Sequence, residues 1–230
     1  HQRGGEAVVV LAGQYDYGFS TTLMRKDIGL VLDEAEAMKW YRFAAERQQP
    51  RAMEVYGLAL VEGRGNVPRA PEQGIAMLTQ LADTGYTAGD YWLGMIEEKG
   101  LGNATVDLAG AAKHYQKGCD STEWSRAKLS ARQRSCFRLG LMRFKGRGVT
   151  ADPQDGRRLI ERASDNKLPE AMTANALLLL TGDPEGREIG PTPGPEDSRA
   201  RYLLEQAADA GNRDAASLLA ALKQRQAAKP

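Results

Sequence analysis

The sequence predicts an all-α solenoid of about five helix-turn-helix repeats, followed by a C-terminal capping helix. Three observations carry this prediction: a small residue that recurs six positions before a glycine, an apolar period of helical type after each such pair, and a nearly constant repeat length. A repeat of this kind determines the whole fold, whereas a single motif does not.

The first observation, the six-residue step from a small residue to a glycine, occurs five times. The pairs are Ala12 and Gly18, Gly57 and Gly63, Gly94 and Gly100, Gly140 and Gly146, and Ala176 and Gly182. Glycine suits the left-handed conformations in which helices end and reverse. A phosphate-binding loop would instead occur once, after a buried strand. We therefore interpret these glycines as turns that follow the first helix of each repeat, helix A.

The second and third observations define helix B. After each turn, apolar or small residues recur at i, i+3, i+4, i+7 and i+8, which is one face of an amphipathic helix. These series start at Ala37, Gly74, Ala111, Gly156 and Ala200, so the starts are 37, 37, 45 and 44 residues apart. The spacing indicates a unit of about 36 residues with inserted loops. The segment Arg213 to Gln226 is predicted as a last helix A that caps the array.

The whole chain, residues 1–230, is expected to form one solenoid domain with three insertions. Residues 19–33 lengthen the first unit, and residues 121–134 separate a helix B from the next helix A. The third insertion, residues 182–197, is rich in Pro and Gly and separates a helix A from its helix B.

The charge of the chain is balanced overall but uneven along its length. With 31 Lys and Arg against 30 Asp and Glu, it gives no electrostatic reason to expect nucleic acid or an anionic membrane as partner. Residues 71–107 contain six acids and one base, a net of −5, whereas residues 113–147 contain ten bases and two acids, a net of +8. This asymmetry either steers a complementary partner or is ordinary surface charge.

Membrane and targeting signals are not visible in the sequence. The apolar runs are too short to span a bilayer. The chain starts at His1 without a Met, so the missing leader says nothing about compartment.

The helix A pattern is clearest in AMEVYGLALVEGRGNV (52–67) and SCFRLGLMRFKGRGVTADP (135–153). The helix B pattern is clearest in EAMKWYRFAAERQQPRA (36–52) and SRARYLLEQAADAGNRDAA (198–216). These four segments resemble the Sel1-like repeat, a relative of the tetratricopeptide repeat, over about residues 7–222. The resemblance implies a right-handed α-solenoid that serves as an interaction scaffold, with a concave surface lined by helices A. The chain departs from the family where a Tyr is expected three residues after the helix A glycine. Glu97 and Arg143 stand there in two successive units and either form an ion pair or face a partner.

The two cysteines lie in KGCD and SCFRLG, with Cys119 at the end of a helix B and Cys136 at the start of the next helix A. A cysteine-rich secreted branch of the Sel1-like family bridges such a pair, so the resemblance implies a disulfide. A bridge would indicate the periplasm or the cell envelope. The alternative is a pair of buried, reduced thiols in a cytoplasmic protein.

No catalytic, metal or cofactor site is predicted. The chain has two histidines, and His114 occupies the helix B position at which other units carry Trp40, Met77, Leu159 and Leu203. We therefore expect His114 to be a core or half-buried helix residue. None of the common motifs of metalloproteases, serine hydrolases, nucleotide-binding loops or dithiol enzymes is present.

A partner would contact the concave face, which the resemblance assigns to helix A positions three before, one after and four after the small residue. Arginines next to aromatic residues on this strip have the composition of interaction hot spots. The strip is either a partner site or part of the core. The candidate residues are Glu54, Leu58, Tyr91, Met95, Glu98, Phe137, Arg138, Leu141, Arg143 and Phe144.

The sequence thus predicts a non-enzymatic protein-interaction module that is monomeric when free and binds a protein partner. Bacterial proteins that it resembles include immunity proteins, which bind and neutralise secreted type VI effectors such as lipases. The alternatives are a structural or regulatory adaptor in an envelope assembly and an enzyme on a helical scaffold.

Overall fold

The computed structural model describes residues 34–122, 126–186 and 197–227, and this part of the chain is helical without a strand. It confirms the predicted all-α solenoid. The first predicted helix A, around Ala12, and the first insertion, residues 19–33, lie outside the described residues. The helices are α1 (Glu34–Ala45), α2 (Pro50–Glu62), α3 (Pro71–Asp83), α4 (Thr87–Lys99), α5 (Leu108–Asp120), α6 (Arg126–Lys145), α7 (Pro153–Asp165), α8 (Pro169–Thr181), α9 (Asp197–Asp209) and α10 (Arg213–Ala227), with a 3-10 turn at Leu101–Asn103.

Local sequence signals explain where these helices begin and end. Four of them, α2, α3, α7 and α8, have Pro in the first turn, where the missing N–H removes no helical hydrogen bond. Gly63, Gly100 and Gly182 follow α2, α4 and α8 with φ of 74°, 65° and 76°. The N–H of Gly63 donates to the carbonyl of Ala59 at 2.8 Å. The glycines at the six-residue step therefore end the A helices.

The small residues of the repeat allow helices A and B to approach closely. A Cβ added to Gly74 would lie 2.5 Å from the carbonyl oxygen of Gly57, and a Cβ on Gly156 would lie 2.6 Å from the backbone nitrogen of Phe144. Such distances leave no room for a side chain. The recurring small residue is thus explained by packing of one backbone on another.

The described residues form two compact units, which divide between Arg132 and Gln133. The core of the first unit contains Val61, Leu78, Leu81, Leu93 and Ile96 from α2, α3 and α4. In the second unit, one cluster joins α6, α7 and α8 and another joins α8, α9 and α10. The assignment of the whole chain to one domain stays a prediction.

The second insertion is mainly helical rather than a loop. Helix α6 begins at Arg126 and runs for 20 residues to Lys145, so it includes residues 126–134. The inserted segment RAKLSARQR is made largely of strong helix formers and contains neither Pro nor Gly. The insertion therefore lengthens a helix A. In the third insertion, residues 187–196 lie outside the described part and α9 begins at Asp197.

The terminal helix α10 spans Arg213–Ala227, close to the predicted Arg213 to Gln226. Asn212 precedes it, and its side-chain oxygen accepts a hydrogen bond from the N–H of Ala215 at 2.9 Å. Leu222 is buried in a cluster with Leu204 and Ala207. No helix in the described part combines the length and apolar character that a bilayer span requires.

Candidate functional site

The predicted partner strip of the first unit is largely covered. Glu54, Leu58 and Tyr91 are buried, whereas Met95 and Glu98 are half-buried. Leu58 belongs to the same core cluster as Leu78, so its side chain stabilises the unit. Met95 is therefore the apolar strip residue of this unit with exposed side-chain area.

Glu54 links two A helices. Its Oε2 accepts a hydrogen bond from Arg51 at 2.8 Å, and its Oε1 accepts one from the indole N–H of Trp92 at 3.0 Å. The Trp92 ring packs edge-on against Tyr91 with ring centroids 4.9 Å apart. Because both carboxylate oxygens have partners, Glu54 serves to join α2 to α4.

Glu98 likewise holds helix B against helix A. It accepts a hydrogen bond from the hydroxyl of Tyr115 at 2.8 Å and pairs with Lys99 at 3.2 Å. The Tyr115 ring lies so close to Gly94 that an added Cβ would be 2.7 Å from a ring carbon. Tyr115 on α5 thus fills the space beside Gly94.

The strip of the second unit is divided between core and surface. Phe137 and Leu141 are buried with Ile160. Arg138, Arg143 and Phe144 are half-buried, and Arg143 remains 33% exposed while it pairs with Asp155. Helix α6 therefore presents one aromatic ring and two arginines at partly exposed positions. Their role in partner binding stays a prediction.

Folding neutralises part of the basic segment. Counting charges along the chain misses carboxylates that lie outside the segment but contact it in the structure. Four bases of residues 113–147 form such ion pairs: Lys117 with Asp90, Arg143 with Asp155, Lys145 with Asp183, and Arg147 with Glu185.

Two of these carboxylates have lowered pKa values. Burial alone would raise the pKa of Asp155, but hydrogen bonds from Arg158 and Arg143 outweigh it, so the pKa lies below its ordinary value. A hydrogen bond from Lys145 lowers the pKa of Asp183, assisted by the backbone N–H of Glu185. Both groups are therefore carboxylates at neutral pH, so their ion pairs are formed there.

A cluster of ionisable side chains between α4 and α5 was not predicted as a site. The Nδ1 atom of His114 lies 3.1 Å from Oδ1 of Asp90, and its Nε2 lies 3.8 Å from Oε1 of Glu97. The Nζ atom of Lys117 is 3.3 Å from the same Asp90 oxygen. Asp90 and Glu97 are seven residues apart, as are two positions on one helix face, which is the signal that could have indicated this cluster. His114 is half-buried, as expected.

The Glu97 carboxyl has an unusual environment. Burial raises its pKa above the ordinary range, and the nearby Asp107 carboxylate acts in the same direction, whereas His114 and Lys113 lower it. Its Oε2 is buried and has no hydrogen-bond partner among the described residues. At the equivalent position of the next unit, Arg143 instead contacts Asp155.

Cys119 and Cys136 are both disulfide-bonded, and neither is a free thiol. The predicted disulfide is therefore confirmed. Both residues are buried, and the guanidinium of Arg162 lies 2.7 Å from the Cys136 sulfur. Cys119 is held further by its carbonyl, which accepts a hydrogen bond from Arg132 at 3.1 Å.

Two exposed aromatic residues lie outside the predicted strip. On α1, Phe43 is 40% exposed, packs edge-on against Trp40, and has the guanidinium carbon of Arg47 3.4 Å from its ring centroid. On α9, Tyr202 is 54% exposed, with Lys167 Nζ 6.0 Å from its ring centroid. Both are on B helices, which the strip prediction did not consider.

No set of three or more His, Cys, Asp or Glu side chains in the described residues is arranged to hold a metal ion.

Comparison with known proteins relates this architecture to one repeat family. A family model described as Sel1 repeat matches residues 11–48, 50–86, 88–122, 133–168 and 170–212. No curated protein is similar enough to count as a relative.

Solved structures that share the fold include a Sel1 repeat protein and a protective antigen. A Sel1 repeat protein from Oxalobacter formigenes is 20% identical with a TM-score of 0.64, over 90% of this chain and 75% of the other. The structure of c5321, a protective antigen of uropathogenic Escherichia coli with an SLR fold, is 22% identical with a TM-score of 0.63. That match covers 99% of this chain, which spans 43% of the antigen's length.

Proposed function

The chain belongs to the Sel1 repeat family, whose members are protein-interaction modules, and we propose that it is a bacterial immunity protein for a secreted type VI effector such as a lipase. In this proposal the free protein is a monomer in the periplasm or cell envelope. The disulfide supports this location, because such bonds persist in oxidising compartments. It also supports a rigid binding surface, which reduces the entropy lost on binding.

The observation that carries the proposal is the group Arg138, Arg143 and Phe144 on α6. Arginine and aromatic side chains dominate the energetics of interfaces when a partner excludes water from them. Arg143 is held in place by Asp155 yet remains partly exposed, so little side-chain entropy is lost when it binds. We place the main partner contact here, with Met95 as a further contact in the first unit.

Variants of α6 test this surface. We expect Arg138→Glu with Phe144→Ala to abolish partner binding, because the charge is reversed and the aromatic anchor is removed. Phe137 is unsuitable for the test because it is buried in the core, and its loss would destabilise the unit. The matched control is Arg199→Glu, a charge reversal at an exposed position of α9.

The measurement is affinity capture from native bacterial lysate with all three proteins, followed by mass spectrometry and an activity assay of the captured protein. Immunity requires one dominant enzyme that is retained by wild type and the control, lost by the α6 variant, and inhibited at a one-to-one ratio. Equal capture by the α6 variant would contradict the assigned surface. A captured protein that keeps full activity in the complex would contradict immunity.

A second candidate is an adaptor in an envelope assembly. It is favoured by the exposed aromatic groups Phe43 on α1 and Tyr202 on α9, which belong to different units and could each contact a separate component. Capture of several envelope proteins, some lost with Phe43→Ser and others with Tyr202→Ser, would support this function instead.

A further inference from the structure

Two carboxylates of α4 face one imidazole of α5. Asp90 has a side chain that is 4% exposed and lies 3.1 Å from Nδ1 of His114, within hydrogen-bond distance. Glu97 faces the other ring nitrogen at 3.8 Å, which is too long for a hydrogen bond. The imidazole is thus within hydrogen-bond distance of Asp90 but not of Glu97.

A neutral imidazole cannot satisfy both carboxylates. One of its nitrogens carries a proton and the other carries a lone pair. If Nδ1–H donates to Asp90, the lone pair of Nε2 faces the Glu97 carboxylate, and the contact is repulsive. One further proton, on His114 or on Glu97, converts this contact into a hydrogen bond. The unpaired and buried Oε2 of Glu97 indicates that the ionised carboxylate lacks a partner here.

The surrounding charges favour this proton. Three carboxylates lie at the contact between Glu97 and His114. They are Glu97 itself and Asp90 on α4, and Asp107 in the link before α5. Lys117 is 3.3 Å from Asp90, and Lys113 acts on Glu97. With a neutral imidazole these groups sum to −1, and one proton brings the cluster to zero.

The contact of the His114 ring with Asp90 and Glu97 is the joint between α4 and α5. We propose that Glu97 and His114 take up one proton between them as the pH falls into the mildly acidic range, and that this proton closes the joint. The proton comes from solvent, to which the imidazole is 30% exposed. It forms one hydrogen bond between the ring and Glu97, and no covalent bond breaks.

The sign of the effect follows from proton linkage. Burial raises the pKa of Glu97 in the folded state, so the closed joint binds the proton more tightly than the opened one. Its contribution to stability is fully present below the carboxyl pKa of an unfolded chain, about 4.3, and is lost as the pH rises through the folded value. The joint is therefore tighter in mild acid than at neutral pH.

Amide hydrogen exchange of α4 and α5 in the full chain tests the proposal. For wild type we expect protection factors, corrected for intrinsic exchange, to be several-fold higher near pH 5 than near pH 7.5. Glu97→Gln replaces the carboxylate with an amide that can donate to Nε2 without an added proton. This variant should show the acid level of protection already near pH 7.5.

Controls separate the joint from general charge effects. Glu72→Gln removes an exposed carboxylate of α3 and should leave the pH dependence of wild type unchanged. Nuclear magnetic resonance of the histidine rings gives an independent readout, since the chain has two histidines and His114→Gln removes one signal. At neutral pH the His114 ring signal of Glu97→Gln should differ in chemical shift from that of wild type, because the amide donates to Nε2.

Two outcomes would overturn the proposal. One is wild-type protection that is equal at both pH values. The other is a pH dependence that persists in Glu97→Gln. The first outcome needs no variant, so the proposal stays testable if Glu97→Gln fails to fold.

Discussion

At the residue scale, Gly94 is held to glycine by Tyr115. A Cβ at position 94 would lie 2.7 Å from the ring, and Tyr115 cannot withdraw easily because it is fully buried and hydrogen-bonded to Glu98. The sequence predicted a small residue here from the repeat. It could not predict the tyrosine that covers it, since Tyr115 belongs to another helix.

We therefore expect Gly94→Ala to lower the free energy of unfolding by about 1–3 kcal/mol through overpacking. Chemical denaturation followed by circular dichroism measures the change. In a Tyr115→Leu background the same substitution should cost less, because the ring is absent. An equal cost in both backgrounds would show that the tyrosine contact is not the cause.

Two further residues, Asp155 and Asp183, make the free energy of unfolding depend on pH in the acidic range. Their folded pKa values are lowered, chiefly through arginine and lysine hydrogen bonds that outweigh burial. Their contribution is present above the unfolded carboxyl pKa, about 3.9, and is lost as the pH falls through the folded values. Asp155→Asn with Asp183→Asn should lower stability at neutral pH and flatten the decline between about pH 4 and pH 2.

Acid unfolding curves check this prediction. The control Asp209→Asn changes an exposed carboxylate of α9 and should follow wild type. If the free energy of unfolding of the double variant declined as steeply with falling pH as that of wild type, the two carboxylates would not be the source of the pH dependence.

At the element scale, the prediction worked best where a helix depends on its own residues. Helices α2, α3, α7 and α8 have Pro in the first turn, and Gly63 shows the left-handed turn that its position predicted. These features depend on backbone geometry within a few residues.

Helix α8 shows why the predicted strip could not be read from one helix. All eight residues from Ala171 to Leu178 are buried, so this helix is covered around its circumference. Position in the repeat indicates which residues share a face, but burial depends on the neighbouring helices. The same reason explains the burial of Leu58 and Phe137.

The disulfide belongs to the scale of elements because Cys119 lies at the end of α5 and Cys136 lies in the middle of α6. Cys136→Ser should lower the free energy of unfolding by about 3 kcal/mol, as the chain-entropy model gives for a loop of about this size. Unfolding of wild type with and without reductant provides the comparison. Reductant should destabilise wild type to the level of the variant and leave the variant unaffected.

At the scale of the whole molecule, a repeat array loses stability where an end is exposed. Removing residues 213–230 would uncover Leu204 and Ala207, which pack with Leu222 of α10. We expect amides of α9 and α8 to lose protection while those of α2 and α3 keep it. Hydrogen exchange with mass spectrometry distinguishes this local loss from uniform destabilisation, which would contradict a repeat array with local stability.

The sequence by itself determined the number and order of the described helices, the glycine turns, the capping helix and, through resemblance, the disulfide. Apart from the disulfide, these features depend on helical periodicity, on glycine at positive φ and on recurrence along the chain. All three can be read from the amino-acid sequence.

Only the tertiary structure decided which groups meet. Lys145 pairs with Asp183, 38 residues away, and His114 lies between Asp90 and Glu97. Whether a charge is exposed, paired or shifted in pKa depends on helices that come from other parts of the chain. For that reason the basic segment proved partly neutralised, and the ionisable cluster between α4 and α5 became visible only in the folded protein.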